Sequence, residues 1–276
     1  MKRADLARRL LNAGIEEGRT EARMIFDALA DRPCPASETD PDSRALGIDD
    51  GRLDELSRRR AAHELLQYLL GECWFYRERY EVSPDCLIPR GDTEVLVDYA
   101  VHHLPKGARF LDLCTGSGCV AISTLAARPD TTAVGLDISQ AALAIARRNA
   151  EANGVTDRLQ LLCADALAFR PSQPFDAVLA NPPYIRHDLL PTLPPEVQKE
   201  PVLALDGGAD GLAFYRAFCQ NLSFYIYKTG FCAWEIGYDQ GADLRRLAAE
   251  HHLRITLLRD LGGQDRVAVL SPSADP

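Results

Sequence analysis

Asn181-Pro182-Pro183-Tyr184 packs the most chemistry of any stretch in this chain into the fewest residues. It offers the amide oxygen of Asn181, a main-chain carbonyl at Pro182 and the flat ring of Tyr184. Two acceptors beside an aromatic face suit a planar –NH2 group, bound through both hydrogens and stacked from one side. Consecutive prolines keep such a loop extended and stiff, because each fixes φ and lacks an N–H. The same four residues also fit a plain turn after a strand, so their context has to decide.

Two further groups could bind a nucleoside. Cys114-Thr115-Gly116-Ser117-Gly118 follows the apolar run Arg109 to Leu113 and leads into a helical stretch. Glycines let the backbone approach a ligand, and a helix amino end offers free N–H groups. Asp137 ends the next apolar run, about 20 residues beyond the glycines, where an acidic side chain accepts from ribose hydroxyls. Asp165 ends a third run and could accept from an adenine amino group, with Ala166 lining the pocket. The glycine loop alone does not discriminate, since Gly116-x-Gly118-x-x-Ala121 also satisfies a dinucleotide fingerprint. Three features favour S-adenosylmethionine over NAD. Asp112 precedes the glycines as Asp-x-x-x-Gly-x-Gly, the third strand end is acidic, and the Asn-Pro-Pro-Tyr loop has no role in hydride transfer.

Bringing these groups together requires a strand before each. Phe175 to Ala180 reads as a buried parallel strand delivering Asn181. The repeated order of strand, loop and helix gives an α/β fold with a doubly wound, Rossmann-like sheet. Such sheets bind ligands outside the carboxyl ends of their strands. Later pieces complete it: a helix over Gly211 to Leu222, a strand over Gly230 to Glu235, a helix over Gly241 to His251, and strands over Arg254 to Arg259 and Arg266 to Leu270. The connection Gly262-Gly263-Gln264-Asp265 is short enough to force the last two into an antiparallel hairpin, with glycine supplying positive φ.

Residues 1–70 read as a small all-helical domain, 71–86 as a β-hairpin linker and 87–276 as the catalytic domain. Leu6, Leu10, Leu11 and Ile15 recur at helical spacing, Thr20 is placed to cap a second helix, and a third pattern runs from Asp50 through Leu53, Leu56, Ala61, Leu65, Leu66 and Leu69. Pro33 to Pro41 is expected to be loop, and Arg58-Arg59-Arg60 a solvated helix face. Thr93 or Asp92 is placed to cap a later helix, and Arg90 is either a guanidinium presented to a ligand or a surface ion pair.

With 276 residues and 46% hydrophobic content the chain can build two cores. Its net charge of -9 speaks against a broad phosphate-binding surface. Eight cysteines are scattered without a C-x-x-C pair, so no metal site is expected; most, as in Leu161-Leu162-Cys163, read as small buried hydrophobes. No apolar run reaches the roughly 20 residues that span a membrane, and the first residues lack an apolar signal core. A soluble cytoplasmic protein is expected.

The motifs together resemble the protein-(glutamine-N5) methyltransferases of peptide chain release factors, the HemK/PrmC family. The resemblance runs from Gly71 to Val269. It rests on Leu87-Ile88-Pro89-Arg90 before Glu94, on Asp112-Leu113-x-Thr115-Gly116-Ser117-Gly118 and on Asn181-Pro182-Pro183-Tyr184-Ile185. Glu200-Pro201, Gly207-Gly208-x-Asp210-Gly211-Leu212, Tyr215, Glu235-Ile236-Gly237 and Asp260 to Val267 extend it. Cys114 and Gly91 depart from it, standing where the family has glycine and mostly proline. The resemblance implies a class I methyltransferase fold of seven strands with an antiparallel final hairpin, S-adenosylmethionine as cofactor, and class I release factors as partners bound through the amino-terminal domain. The acceptor would be the glutamine of their Gly-Gly-Gln motif. Asn181 and Pro182 would hold its –NH2 group, Tyr184 would pack on it and Pro183 would stiffen the loop. Cys114 to Gly118, Asp137, Asp165, Ala166 and Asn181 would hold the cofactor. No general base stands out, so no steep pH limb near neutrality is expected. The alternative is an amino-methyltransferase acting on an exocyclic base amine of nucleic acid. The acidic balance, and the lack of basic and aromatic residues interleaved near Tyr184, speak against it.

Overall fold

The computed structural model describes residues 1–31 and 39–273; most of the loop expected over Pro33 to Pro41, and Cys34, lie outside them. The chain forms two compact units, one of Met1–Glu72 with Pro194–Lys199, the other of Cys73–Leu193 with Glu200 onward.

In the first unit, apolar residues three or four apart put one stripe of each helix inward. Leu6 and Leu10 do so on α1 (Arg3–Asn12), Ala22, Ile25 and Phe26 on α2 (Gly18–Leu29), and Leu53 and Leu56 on α3 (Asp50–Ala61). Leu66 on α4 (Leu66–Leu70) joins the same core. Three expectations need correction. The pattern from Asp50 to Leu69 is two helices, because His63 takes a left-handed φ of 62° and Arg60 donates to the Glu64 carbonyl at 3.0 Å, holding the reversal. Thr20 is not a cap: α2 starts earlier, at Gly18, and the Thr20 hydroxyl donates to Glu17 instead. The arginine triplet is only partly a solvated face. Arg58 and Arg59 pair with Glu55 and Glu64 at the surface, but Arg60 is 3% exposed, held by Glu21 at 2.5 Å and Glu196 at 2.7 Å.

The second unit begins within β1 (Glu72–Phe75), at Cys73, and β1 forms a two-stranded sheet with β2 (Glu78–Glu81). Then follow α5 (Glu94–His103), β3 (Arg109–Leu113), α6 (Cys119–Ala127), β4 (Thr132–Asp137), α7 (Gln140–Ala152), β5 (Leu159–Cys163) and β6 (Phe175–Ala180). The chain continues with α8 (Ala213–Tyr225), β7 (Ile226–Glu235), α9 (Gly241–Glu250), β8 (Leu253–Arg259) and β9 (Asp265–Pro272). Seven strands form one sheet in the order β5-β4-β3-β6-β7-β9-β8. Strands β3 to β7 run parallel, and β9 pairs antiparallel with both β7 and β8.

Alternation along each strand feeds a core on either face. Leu111, Leu113, Val178 and Ala180 join residues of α8 and α9 in one; Phe110, Ala177 and Leu179 join residues of α5 and α6 in the other. Strand β7 starts at Ile226, four residues before the expected Gly230, since an irregularity in its pairing with β6 absorbs the polar residues Lys228 and Thr229. Cys163 is exposed at the end of edge strand β5, contrary to the buried reading. The Gly262-Gly263-Gln264 segment is the β8–β9 turn, where Gly263 takes φ 80° and Asp260 accepts from the Gln264 N–H at 3.0 Å.

The order reverses at β3: the chain winds outward through β4 and β5, then returns to place β6 on the other side of β3. Register aligns Leu113 with both Leu136 and Ala180. The loops beginning at Cys114, Asp137 and Asn181 therefore leave the sheet from one edge, at its switch point.

Candidate active site

At the end of β3 the chain turns sharply, with Cys114, Gly116 and Gly118 at φ 60°, 56° and 84°. Gly118 is the N-cap of α6, and a Cβ there would lie 2.8 Å from Ile122 and 3.2 Å from Ala146. Gly116 faces open space, with nothing within 4 Å of an added Cβ. Cys114 holds a left-handed conformation that costs a side-chain-bearing residue about 1–2 kcal/mol. Asp112, 1% exposed, braces the turn by accepting from the Thr115 hydroxyl at 2.6 Å and the Ala121 N–H at 3.2 Å. Burial pushes its carboxyl up to about 7. One oxygen of Asp137 accepts from Gly116 N–H at 2.8 Å and the other from Ser139 N–H at 2.9 Å; burial raises its pKa as well. Asp165, at the end of β5, accepts from Leu167 N–H at 2.8 Å.

These loops surround a cavity of about 250 Å³. Of the residues expected to hold a cofactor, Cys114, Thr115, Gly116, Ser117, Asp137, Asp165, Ala166 and Asn181 line it; Gly118 does not, being committed to helix packing. Asn181 and Pro183 line it too, whereas Pro182 and Tyr184 stand outside the lining. The Tyr184 hydroxyl donates to Glu235 Oε1 at 3.3 Å, and its carbonyl accepts from Gln240 Nε2 at 3.1 Å. Gly207 and Gly211 lie against its main chain.

Thr93 is half of what the sequence reading missed. It is the N-cap of α5 but makes no side-chain cap; its hydroxyl is buried, 2.5 Å from Glu235 Oε2 and 3.1 Å from Asn181 Nδ2. Glu235 is the other half, named only as part of a motif. It is 1% exposed, and burial pushes its carboxyl up to about 7. An acidic residue ending the apolar strand Phe231 to Trp234, beside β6, was a readable signal; Thr93 was marked only as a helix cap. Arg90 pairs with fully buried Glu200, whose other oxygen accepts from Ile88 N–H at 3.0 Å, so Arg90 is an ion-pair partner but of a buried carboxylate and not the surface pair expected.

The lining suits a nucleoside with a charged tail. Leu136, Ile138, Ala142 and Leu167 give it apolar walls, Asp137 and Asp165 put carboxylates at two strand ends, and the turn at Gly116 leaves the backbone open to close approach. A sheet of this order with that turn at its switch point defines a class I S-adenosylmethionine-dependent methyltransferase. Residues 92–192 match the family described as methyltransferase small domain. The release factor glutamine methyltransferase of Cereibacter sphaeroides is 38% identical over 280 residues, covering 97% of each chain. That of Caulobacter vibrioides is 36% identical over 265 residues, covering 95% of this chain and 92% of its own. The chain belongs to the release factor glutamine methyltransferase family. Among solved structures, the ribosomal protein L11 methylase of Lactobacillus delbrueckii subsp. bulgaricus shares the fold, with a TM-score of 0.51 and 19% identity over 70% of this chain and 84% of its own.

Proposed function

We propose that the protein methylates the side-chain amide nitrogen (N5) of the glutamine in the Gly-Gly-Gln motif of class I peptide chain release factors, in the cytoplasm. The observation that carries this is the position of Asn181, which leaves β6 into the same cavity that the glycine turn and Asp137 line. S-adenosylmethionine, when bound, supplies an electrophilic methyl group on a sulfonium; Cys114 to Ser117, Asp137, Asp165 and Ala166 would hold it. An amide nitrogen is a poor nucleophile because its lone pair is delocalised into the carbonyl. Oδ1 of Asn181, in the cavity lining, and the neighbouring Pro182 carbonyl, outside it, would accept the two hydrogens of its –NH2 group, orient the lone pair and stabilise positive charge growing on nitrogen. Pro183 keeps the loop stiff, and Tyr184, outside the cavity lining, would pack the amide plane from beyond it. Positioning then provides much of the rate, and no residue need take a proton before methyl transfer.

The helical unit, residues 1–70, is the proposed docking domain for the release factor, since it holds no candidate chemistry of its own. A net charge of -9 favours a protein acceptor over nucleic acid. The test is incubation with labelled S-adenosylmethionine and a class I release factor, beside Asn181→Ala. Label is expected on the Gly-Gly-Gln glutamine and lost in the variant. Label on nucleic acid, or a fully active variant, would overturn the reading.

A further inference from the structure

We propose that Glu235, acting through Thr93, fixes which end of the Asn181 carboxamide faces the cavity, and so makes the site select an acceptor that brings hydrogen-bond donors. The inference rests on the reading that Asn181 binds the accepting amide. A carboxamide has two ends of nearly equal size, and half a turn about its last torsion swaps an acceptor for a donor. Something other than shape has to choose between them.

Thr93 makes the choice. Its hydroxyl carries one proton, and it lies 2.5 Å from Glu235 Oε2 and 3.1 Å from Asn181 Nδ2. Above about pH 7 the Glu235 carboxyl is ionised and only accepts, so the proton goes to Glu235. The oxygen of Thr93 can then only accept from Asn181, which must turn Nδ2 toward it and leave Oδ1 for the acceptor. The opposite sense would place an N–H against the substrate –NH2, donor facing donor. The second oxygen of Glu235 accepts from the Tyr184 hydroxyl, so one carboxylate holds both ends of the Asn-Pro-Pro-Tyr loop. Strand pairing puts it there: Ala180 is opposite Trp234, and Asn181 and Glu235 follow as the next residues. Arg266, the guanidinium on neighbouring β9, is engaged by Asp92 at 3.2 Å and Asp260 at 3.1 Å. A buried carboxylate with one oxygen on Thr93, which in turn holds Asn181, and the other on Tyr184 is costly to keep and has a positional use. Thr93 and Glu235 are thus positioning residues, with consequences for specificity: the site accepts a glutamine amide and opposes a carboxylate of the same shape.

The experiment compares wild type, Thr93→Val, Thr93→Ser and Asn181→Ala. Each is tested with a class I release factor and with the same factor carrying glutamate in place of the Gly-Gly-Gln glutamine. Thr93→Val is expected to lose at least tenfold in kcat and to lose the preference in binding for glutamine over glutamate. Its cofactor affinity should stay within twofold, and Thr93→Ser should restore both properties. A Thr93→Val protein that keeps its kcat within twofold and its preference overturns the relay. Full activity of Asn181→Ala overturns the underlying reading instead, so the two failures are distinguishable. Should Thr93→Val not fold, nuclear magnetic resonance of the wild type decides. The Asn181 side-chain NH2 protons, assigned by their loss in Asn181→Ala, are expected to exchange at least tenfold more slowly than those of a free carboxamide. Exchange at the free rate refutes the proposal.

Discussion

Replacing Gly207 with alanine tests whether the position of the Asn-Pro-Pro-Tyr loop sets the rate. Gly207 is not among the glycines with positive φ, so alanine brings no backbone strain there. Its effect is a wedge. An added Cβ would lie 2.7 Å from Tyr184 Cα, 2.8 Å from the Tyr184 carbonyl carbon and 2.9 Å from Gly211 Cα, all main-chain atoms. Ordinary contact begins at 3.4 Å, so the nearest gap must open by 3.4 − 2.7, about 0.7 Å. Neither side yields easily. Ile185 N–H donates to the Leu205 carbonyl at 3.0 Å, Gly207 N–H to the Ile185 carbonyl at 2.8 Å and His187 N–H to the Gly208 carbonyl at 2.9 Å, zipping the two segments together. Misplacement by 1 Å can cost about 100-fold, so 0.7 Å corresponds to roughly 25-fold in kcat. Overpacking should also lower stability by about 1–3 kcal/mol. The assay is steady-state methylation of a class I release factor with cofactor affinity measured separately. Affinity should hold within twofold, because the turn after β3 and Asp137 sit on other strands. A folded Gly207→Ala protein with less than a twofold loss in kcat would refute the reasoning.

Glu235→Gln should change the pH dependence of both stability and rate. The folded pKa of Glu235 is raised from 4.5 to about 7, so its stabilising contribution is full below pH 4.5 and lost as pH rises through 7. Removing the titration should make the variant gain on wild type by up to about 3 kcal/mol between pH 4.5 and 8, read by urea unfolding; a constant difference would sink the idea. Burial raises this carboxyl, Thr93, Arg266 and Tyr184 pull it back down, and Asp92 adds to the rise. Because only ionised Glu235 orients Thr93, the methylation rate should rise with pH through about 7 and flatten in the variant. Sequence analysis expects no such limb; one observed here would come from the buried carboxylate behind Asn181 and not from a general base. In the first unit, Arg60→Met leaves Glu21 and Glu196 without their shared guanidinium and should cost about 3 kcal/mol on thermal or urea unfolding, with a loss below 1 kcal/mol counting against the account.

Much of this protein was determined locally. Alternating or continuous apolar runs ending in Leu113, Asp137, Cys163 and Ala180 dictated the parallel strands, and the glycine turn and paired prolines dictated what left them. Those features follow from steric limits on φ and from side-chain period, which a chain carries without its neighbours. Tertiary structure alone decided the rest. Thr93 and Asn181 are 88 residues apart, and Thr93 and Glu235 are 142 apart; only the placement of β7 beside β6 joins them. Arg60 reads as one of three exposed arginines until Glu21 and Glu196 close over it. Burial and partner choice belong to the packed chain, because the dielectric around a charge and the atom opposite a donor are set by segments remote in sequence. Local pattern therefore placed Asn181 at the end of its strand, and only the fold chose which way its carboxamide turns.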